Sequence, residues 1–469
     1  MRHDRREAGP QAAIQYDSSL RVPRGDRHLH RMSGIRQLGL TTCTALIVGN
    51  MIGTGIFMLP AALAPFGLNA LTGWAVVIAG CVCIAITLAA LARHLPEADG
   101  PFGYVRATLG EAVAFPVLWC YWISVWVSNA VLAIGAVGYF VVVFPAAGTL
   151  DPAVLAVGFV WFFVGVNVLG VRSGGRVQVV TTVLKLVPLI LVIVAGSASI
   201  LADPAAAVSR LPATPPLSPQ VTTAAAAVAL FTMLGFEAAT IAAGRVRDPG
   251  RTLPRATLIG TLVVAGIYVA IAIIGMMIVP QSTLAASDAP FVTILDRLLG
   301  PGQGRWLSLF IVISALGCLN GWTLLAGELT RTLAVHKLVP GILGLRNRFD
   351  APWVALMLVG VLAVAVGLMN YSDSLVGAFI KLSLIVSAAS LPLYVCCSLG
   401  LFALLRRKAA GPGPALWLVA AGSIGFAAYA LFGVGREPFL WALALSAAGL
   451  PVYYGVRRWE AAGAPDEPR

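Results

Sequence analysis

Long apolar stretches recur along the whole chain, and they constrain its fold more than any other feature. Each is long enough to cross the hydrocarbon core of a bilayer as a helix, which takes about 20 apolar residues. Hydrophobic residues make up 59% of the 469 residues and charged residues 11%, whereas about 25% are charged in a soluble domain. Because a helix satisfies its own backbone polar groups in lipid, the sequence predicts an all-α membrane protein.

Twelve apolar segments can be delimited, and each is predicted to form a transmembrane helix. The residues before the first segment are polar and basic, and they lack the apolar core of a cleavable signal peptide. The twelve segments are 38–64, 71–92, 112–144, 153–170, 177–201, 220–243, 254–280, 305–332, 353–370, 374–405, 414–434 and 438–456.

The segments are predicted to form two halves of five helices with opposite orientation, followed by two additional helices. A proline-rich connection between the halves is typical of an extended linker. The predicted divisions are a disordered basic cytoplasmic tail at 1–37, a first five-helix repeat at 38–201, an external linker at 202–219, a second, inverted five-helix repeat at 220–405, helices 11 and 12 at 406–458 and a cytoplasmic tail at 459–469.

The 32 Lys and Arg residues, which contribute to a net charge of +12, are distributed unevenly over this topology. Four of them, Arg210, Arg297, Arg305 and Arg436, fall in the predicted external connections, and most of the others fall in the tails and cytoplasmic loops. An excess of basic residues in cytoplasmic loops orients membrane proteins. We therefore predict a multi-pass protein of the inner (plasma) membrane with both termini in the cytoplasm. The positive charge requires no nucleic-acid partner.

No pattern of catalytic or metal-binding residues stands out in the sequence. The seven cysteines all lie within apolar segments, and the five histidines lie in the tail or in the cytoplasmic loops. Neither set has the spacing of a disulfide framework or a metal site, and no Walker A string is present. We expect no catalytic residues, no metal and no cofactor, and therefore not an enzyme.

Two of the segments contain residues that interrupt a helix. The first segment holds GNMIGTGIF at Gly49–Phe57, and the sixth holds MLGFE at Met233–Glu237. Backbone that is not helical is tolerated at membrane depth only where protein buries it or a cavity wets it. Matching breaks in two halves of opposite orientation indicate an inverted-repeat (LeuT-like) transporter with broken helices 1 and 6. As an alternative, the glycines could serve only to let helices pack closely.

The break in the first segment predicts a site for a carboxylate. Unwinding there would leave the N–H groups of Gly53, Thr54 and Gly55 free at the start of the outer half-helix. The N-terminus of a helix carries a partial positive charge and binds anions. We expect the small residues to let a ligand approach this backbone.

Ionisable residues within apolar segments are costly and mark functional sites by default. We expect Glu237, directly after the second break, to exchange protons, or else only to bond the broken helix end. Glu328 and Arg331 are spaced to pair with each other on one helix. For Lys381 we leave two alternatives, a side chain that reaches outwards towards Asp373 and one that faces the cavity. The four such residues are Lys185, Glu237, Glu328 and Lys381.

Five strings, read together, resemble the amino acid–polyamine–organocation (APC) transporters, and within them the basic amino acid/polyamine antiporters. Antiporters that exchange arginine for agmatine are the nearest resemblance, which runs from about Leu38 to Trp459. The strings are GNMIGTGIFMLPA at 49–61, the pattern YWxxxWxxN at 121–129, GFEAATIAAG at 235–244, GWTLLAGE at 321–328 and PLYVCC at 392–397.

The resemblance implies a set of substrate-binding and gating residues. The substrate carboxylate would lie on the first break, the amino group on carbonyls near both breaks, and the distal cation on Asn129 and Trp322. It further implies that Tyr121 is an outer-side gate and that Glu237 senses protons. The implied substrate-binding residues are Asn50, Met51, Gly53, Thr54, Gly55, Ser124, Asn129, Phe231, Leu234, Trp322 and Ile385.

Lys185 is the third residue that the resemblance implies in proton coupling. Many transporters of this superfamily have a lysine at the similar place, where sodium-coupled relatives bind a cation. The ammonium of Lys185 would replace that ion, or alternatively the side chain would reach the membrane surface.

Three positions depart from the pattern of the arginine antiporters. Phe231 stands where they have an indole, and an alignment on Pro392 places Ile385 at a small polar position. The same alignment places Leu393 where they have an outer-gate tyrosine, and a shift by one residue would change both of these matches. The departures leave the class of transporter unchanged.

The sequence thus predicts a secondary active antiporter that exchanges a basic amino acid for its decarboxylated amine by alternating access, as arginine/agmatine antiporters do. Its partners would be the substrates, the lipid bilayer and a second copy in a homodimer. One alternative is a proton-coupled, sodium-independent symporter or uniporter of neutral amino acids, with Lys185 as the coupling group and Phe231 in an apolar pocket. Another is a membrane sensor or intramembrane enzyme that transports nothing.

Overall fold

The computed structural model describes residues 39–95, 98, 100–170, 174–212, 214–237, 246, 248–371, 374–407 and 414–463, with the side chains of 174–182, 249, 457 and 459–463 left aside. The predicted tail at 1–37, most of the string at 235–244 and part of the tail at 459–469 lie outside the described residues. Regular structure in the described part is helical, which confirms the all-α class. The α-helices are α1 (Leu40–Met51), α2 (Gly55–Leu63), α3 (Asn69–His94), α4 (Gly100–Leu109), α5 (Glu111–Val143), α6 (Pro152–Val168), α7 (Gly174–Ala202), α8 (Pro204–Ser209), α9 (Pro219–Met233), α10 (Pro249–Ile278), α11 (Gln281–Ala285), α12 (Pro290–Leu299), α13 (Gln303–Val335), α14 (Trp353–Met369), α15 (Leu375–Arg406), α16 (Pro414–Val434), α17 (Arg436–Ala447) and α18 (Gly449–Gly463).

The long apolar helices match the predicted segments. Within the described residues, eight spans are long and apolar enough to cross a membrane, and the bent pair α1–α2 adds a ninth. Three shorter apolar helices, α6, α9 and α14, coincide with the fourth, sixth and ninth predicted segments. Each of the twelve predicted segments overlaps one of these helices. The membrane-spanning class is confirmed, whereas the count of twelve and the inverted repeat stay predictions.

The first segment is broken where the glycines predict it. Helix α1 ends at Met51, α2 begins at Gly55, and the two are bent by 47°. Between them the N–H of Gly53 donates to the carbonyl of Met51 at 3.0 Å. The residues at this bend are poor helix formers, so the local sequence alone favours the interruption.

The sixth segment is also interrupted at its glycine. Helix α9 ends at Met233, and Gly235 has φ of +107°, a conformation that side chains disfavour. A Cβ atom on Gly235 would lie 3.2 Å from the carbonyl carbon and oxygen of Asn50. The two breaks therefore lie against each other, and a glycine is needed where their backbones meet.

Tyr139 at the far end of α5 ties the outer half of the broken helix to α12. Its hydroxyl donates to the carbonyl of Phe57 in α2 at 2.6 Å and accepts from the N–H of Phe291 in α12 at 3.2 Å. The rings of Phe57 and Phe291 pack edge to face at 5.0 Å, and Tyr139 is fully buried. One hydroxyl thus fixes α2 relative to two neighbouring helices.

We expect Tyr139→Phe to lower the free energy of unfolding by about 1–3 kcal/mol, because it removes two buried hydrogen bonds and leaves the N–H of Phe291 without its partner. Thermal unfolding in detergent measures this change. Tyr454→Phe is the matched control, since Tyr454 is 60% exposed and surface changes stay within about 0.5 kcal/mol. Equal unfolding temperatures for the two variants would contradict the role of the Tyr139 hydroxyl.

Two pairs of charged residues involve ionisable residues that the sequence analysis singled out. Glu328 and Arg331 pair at 2.9 Å, as their spacing predicts. Lys381 instead contacts Glu437 at 2.6 Å, at the start of α17. The predicted contact with Asp373 lies outside the described residues and stays a prediction, whereas the exposed partner Glu437 agrees with a side chain that reaches outwards. Helix α17 supplies this partner by tertiary packing, which sequence spacing does not reveal.

Candidate functional site

A small cavity lies between the two breaks. Its volume is about 20 Å³, which holds about one water molecule. It is bounded by the unwound part of the first segment, the end of α9, α5 and α13. The lining residues are Asn50, Met51, Gly53, Gly55, Ser128, Leu132, Phe231, Thr232, Leu234, Cys318 and Trp322.

Seven of the eleven predicted substrate-binding residues line this cavity, and four do not. Thr54 turns towards α5, where a Cβ atom on Gly135 would lie 3.1 Å from it. The hydroxyl of Ser124 donates to the carbonyl of Tyr121 within α5 at 2.7 Å, and Ile385 is fully buried in α15. Asn129 is buried behind the lining, beside Thr323 of α13.

Four lining residues were missed by the sequence analysis, namely Ser128, Leu132, Thr232 and Cys318. Ser128 and Thr232 are chain neighbours of two predicted residues, Asn129 and Phe231. Cys318 comes four residues before Trp322, which is one turn earlier on the same face of a helix. Helical spacing from the predicted residues could therefore have found Leu132 and Cys318.

The broken end of α2 presents two backbone donors. The N–H groups of Thr54 and Gly55 have no acceptor among the described residues. The prediction that the N–H of Gly53 is also free is corrected, because this group donates to the carbonyl of Met51. That donation closes a tight turn between α1 and α2.

The carbonyl of Met51 is already saturated. It accepts from the N–H of Gly53 at 3.0 Å and from the hydroxyl of Tyr268 in α10 at 2.9 Å. A carbonyl oxygen has two lone pairs, so no acceptor capacity is left for a substrate amino group. Met51 lines the cavity, but its carbonyl does not have the free acceptor that the resemblance implied.

Lys185 lies at the broken end of α1. Its side chain is fully buried, and its ammonium donates to the carbonyl of Gly49 at 2.8 Å. Cys318 lies close to the same ammonium. A side chain in this position holds a cation on the end of a broken helix and does not reach the surface of the protein.

Glu237 holds the broken end of α9. Its Oε2 accepts from the N–H of Gly235 at 3.1 Å, and its Oε1 accepts from the hydroxyl of Tyr121 at 3.2 Å. Tyr394 of α15 lies close to the same carboxyl group and stacks on Phe236 at 5.5 Å. The alignment on Pro392 matched Leu393 to a tyrosine of the arginine antiporters. A shift of that alignment by one residue would match Tyr394 instead.

Two predictions do not agree with each other, namely Tyr121 as an outer-side gate and the orientation of the chain, and both stay predictions. Tyr121 lies in the first part of α5, towards the end that follows α4. Cys397, on the next turn of α15 from Tyr394, contacts the carbonyl of Pro101 in α4 at 3.8 Å. Tyr121 and Glu237 thus lie on the side of the cavity that faces α4, which the topology predicts to be cytoplasmic.

Comparison with known proteins agrees with this architecture. The family model of the amino acid permeases matches residues 38–452. A cadaverine/lysine antiporter of Escherichia coli (strain K12) is 30% identical over 344 residues, which cover 72% of this chain and 77% of that protein.

Two further relatives match over longer stretches. An arginine/ornithine antiporter of Pseudomonas aeruginosa is 28% identical, with 90% of this chain and 94% of that protein covered. The putrescine transporter PotE of Escherichia coli (strain K12) is 26% identical, with 89% and 95% covered. The family match spans the broken helices and the cavity described above. The chain therefore belongs to the amino acid permease family of the APC superfamily.

Proposed function

We propose that this permease is an antiporter that exchanges a basic amino acid for its decarboxylated amine, as in arginine/agmatine exchange. The observation that carries the proposal is the meeting of two helix ends at one cavity. The N-terminus of α2 presents the free N–H groups of Thr54 and Gly55, and the C-terminus of α9 ends at Met233. Partial charges of opposite sign at these ends suit a carboxylate and an ammonium group on one small substrate.

The hydroxyl groups around the cavity support a substrate that is rich in hydrogen-bond donors. Ser128 donates its hydrogen to the carbonyl of Ser124 at 2.7 Å, and Thr232 donates to that of Ala229 at 2.8 Å. A hydroxyl has one hydrogen and two lone pairs. Both side chains therefore offer only acceptors to a substrate, and ammonium and guanidinium groups are pure donors.

Asn129, which lies behind the lining in this conformation, would add a further acceptor once the lining moves apart. Its Oδ1 is placed 3.2 Å from the hydroxyl of Thr323, whose single hydrogen is already donated to the carbonyl of Leu319 at 2.7 Å. The oxygen and nitrogen of an amide are assigned from their hydrogen-bond partners. Exchanging the two atoms lets the amide nitrogen donate to the hydroxyl of Thr323, which satisfies both groups. The amide oxygen is then buried without a donor, which suits the cationic end of a substrate. The rings of Phe231 and Trp322 in the lining would strengthen this binding by cation–π contact.

The size of the cavity supports alternating access. A volume of about 20 Å³ is too small for an amino acid, so the lining must move apart before the substrate enters. Such motion of broken helices around a fixed site is how inverted-repeat transporters work. Lys185 and Glu237, each bonded to one broken helix end, are the groups that we assign to coupling.

The proposal includes the wider architecture. It comprises twelve transmembrane helices in an inverted repeat of five and five plus two, both termini in the cytoplasm, and a homodimer in the inner membrane. The exchange would be driven by the membrane potential and the two substrate gradients. It would consume a proton equivalent whenever a decarboxylase acts on the imported amino acid.

A second candidate keeps the fold and changes the cargo. All eleven lining residues are uncharged, so the site supplies no counter-charge for a substrate that carries two positive charges. This observation favours a proton-coupled, sodium-independent symporter or uniporter of neutral amino acids.

Uptake into proteoliposomes distinguishes the two candidates. Radiolabelled arginine, lysine, ornithine, agmatine, cadaverine, putrescine and leucine are offered to vesicles with and without internal agmatine or cadaverine, at acid and neutral pH. We expect uptake of a basic amino acid that requires an internal amine. Uptake of leucine into vesicles without internal amine, driven by an imposed pH gradient, would favour the second candidate. Failure of every cationic substrate would exclude the antiporter.

We expect Asn129→Leu to raise the KM for cationic substrates by about 10- to 100-fold, because a hydrogen bond to a charged group contributes about 1.5–3 kcal/mol. Initial rates of exchange in proteoliposomes give the KM. Asn370→Leu is the matched control, since Asn370 is equally buried at the end of α14, away from the cavity. If Asn129→Leu leaves the KM for every cation unchanged, Asn129 does not bind the cationic end.

A further inference from the structure

The thiol of Cys318 lies against the unwound part of the first segment. Cys318 lines the cavity from α13 and is 4% exposed. A Cβ atom on Gly53 would lie 2.9 Å from its sulfur, a distance that atoms in proteins do not keep without one of them moving. The sulfur thus occupies the space that a side chain at Gly53 would need.

The position of this sulfur is fixed from several sides. Trp322, one turn later on α13, lies next to the thiol, and Lys185 of α7 lies near it as well. Lys185 itself is held on the carbonyl of Gly49 at 2.8 Å. We therefore expect a change of volume at residue 318 to act on the unwound backbone at Gly53, which lies directly against the sulfur.

We propose that Cys318 is a specificity-determining residue, and that its sulfur sets the room beside Gly53 for the carboxylate-bearing end of the substrate. The inference rests on the proposed function. The free N–H groups of Thr54 and Gly55 directly follow Gly53, so the carboxylate end lies on this part of the wall. A decarboxylated amine has no carboxylate there. Substitutions at Cys318 should therefore change the KM for the amino acid more than the KM for the amine.

Cys318→Val tests this asymmetry, because it places an additional branch towards Gly53. We expect the KM for arginine to rise about tenfold, or about 1.4 kcal/mol, and the KM for agmatine to change less than about twofold. If the protein exchanges a different amino acid and amine, those two substrates are used in place of arginine and agmatine. Cys83→Val is the matched control, since Cys83 is half-buried in α3 beside Gly422. Equal rises for the amino acid and the amine would overturn the proposal.

Modification of the native thiol provides a second test, which starts from the wild-type protein. Methyl methanethiosulfonate converts a cysteine thiol to a methyl disulfide and releases methanesulfinic acid, so that the thiol proton leaves with the sulfinate. We expect the reagent to inactivate exchange, and saturating substrate to protect. At about ten times the half-saturating concentration, about a tenth of the sites remain free, so inactivation should slow about tenfold.

Cys318→Ala identifies the reacting thiol. The transport rate of the treated wild type and of the treated variant is each divided by the rate of the same protein without reagent. Transport by this variant should resist the reagent. Inactivation of Cys318→Ala at the rate of the wild type, or absence of protection by any transported substrate, would overturn the proposal. If no cationic substrate is transported, the proposed function fails, and the same assay with whichever amino acid is transported still tests Cys318.

Discussion

Lys185→Ala is expected to slow exchange by about 10- to 100-fold, because a hydrogen bond from a charged group to a carbonyl contributes about 1.5–3 kcal/mol. The ammonium of Lys185 is fully buried on the carbonyl of Gly49. Without it, the last turn of α1 has a buried carbonyl with no partner next to the unwound segment. Exchange should persist at the reduced rate, whereas a symporter would lose accumulation driven by a pH gradient. Counterflow of labelled substrate in proteoliposomes measures both quantities.

Lys381→Ala provides the matched control for this experiment. Lys381 pairs with Glu437 at 2.6 Å, but the two side chains are 30% and 64% exposed. Such surface pairs contribute about 0–1 kcal/mol, so we expect exchange by this variant to stay within about threefold. If Lys185→Ala and Lys381→Ala had the same small effect, Lys185 would not hold the broken helix.

Gly235→Ala is expected to raise the KM for every substrate at least about tenfold, since a side chain in a disfavoured backbone region costs about 1–3 kcal/mol. The φ angle of Gly235 is +107°, and a Cβ atom there would lie 3.2 Å from the backbone of Asn50. The alanine must either strain α9 or push the two breaks apart. Both outcomes change the wall that receives the substrate. Initial rates over a range of concentrations give the KM.

Gly266→Ala is the control for Gly235→Ala. Gly266 lies within α10, and a Cβ atom on it would have no neighbour within 4 Å. Alanine is favoured over glycine in a helix by about 1 kcal/mol, so this variant should fold at least as well as the wild type and keep its KM. Normal KM values for Gly235→Ala would show that close contact between the two breaks is not required.

The interruption of the first segment could be predicted because its cause is local. Glycine, asparagine and threonine are poor helix formers, and they are concentrated between Gly49 and Gly55. The helix accordingly ends at Met51 and resumes at Gly55. The second break could be predicted for the same reason, since Gly235 adopts a backbone angle that other residues avoid.

The use of the freed backbone groups could not be predicted, because their partners come from distant parts of the chain. Tyr268 saturates the carbonyl of Met51, and Lys185 occupies that of Gly49. Neither contact can be predicted from the residues next to Met51 or Gly49 in the sequence. The same holds for Lys381, whose partner Glu437 begins a helix near the end of the chain.

The wall of the cavity was predicted in part, for reasons of helix rotation. A motif such as YWxxxWxxN fixes which helix faces the site, but adjacent residues on a helix point about 100° apart. Ser128 therefore lines the cavity, whereas Asn129 lies behind it. Likewise Tyr394, and not Leu393, lies beside Glu237, because one step along α15 turns the side chain away.

The small volume between the breaks has a consequence for the energetics of the cell membrane. With room for about one water molecule, it contains no continuous file of water along which hydrated ions could cross. We therefore expect an unloaded copy in this conformation to let no hydrated ion pass between the two breaks.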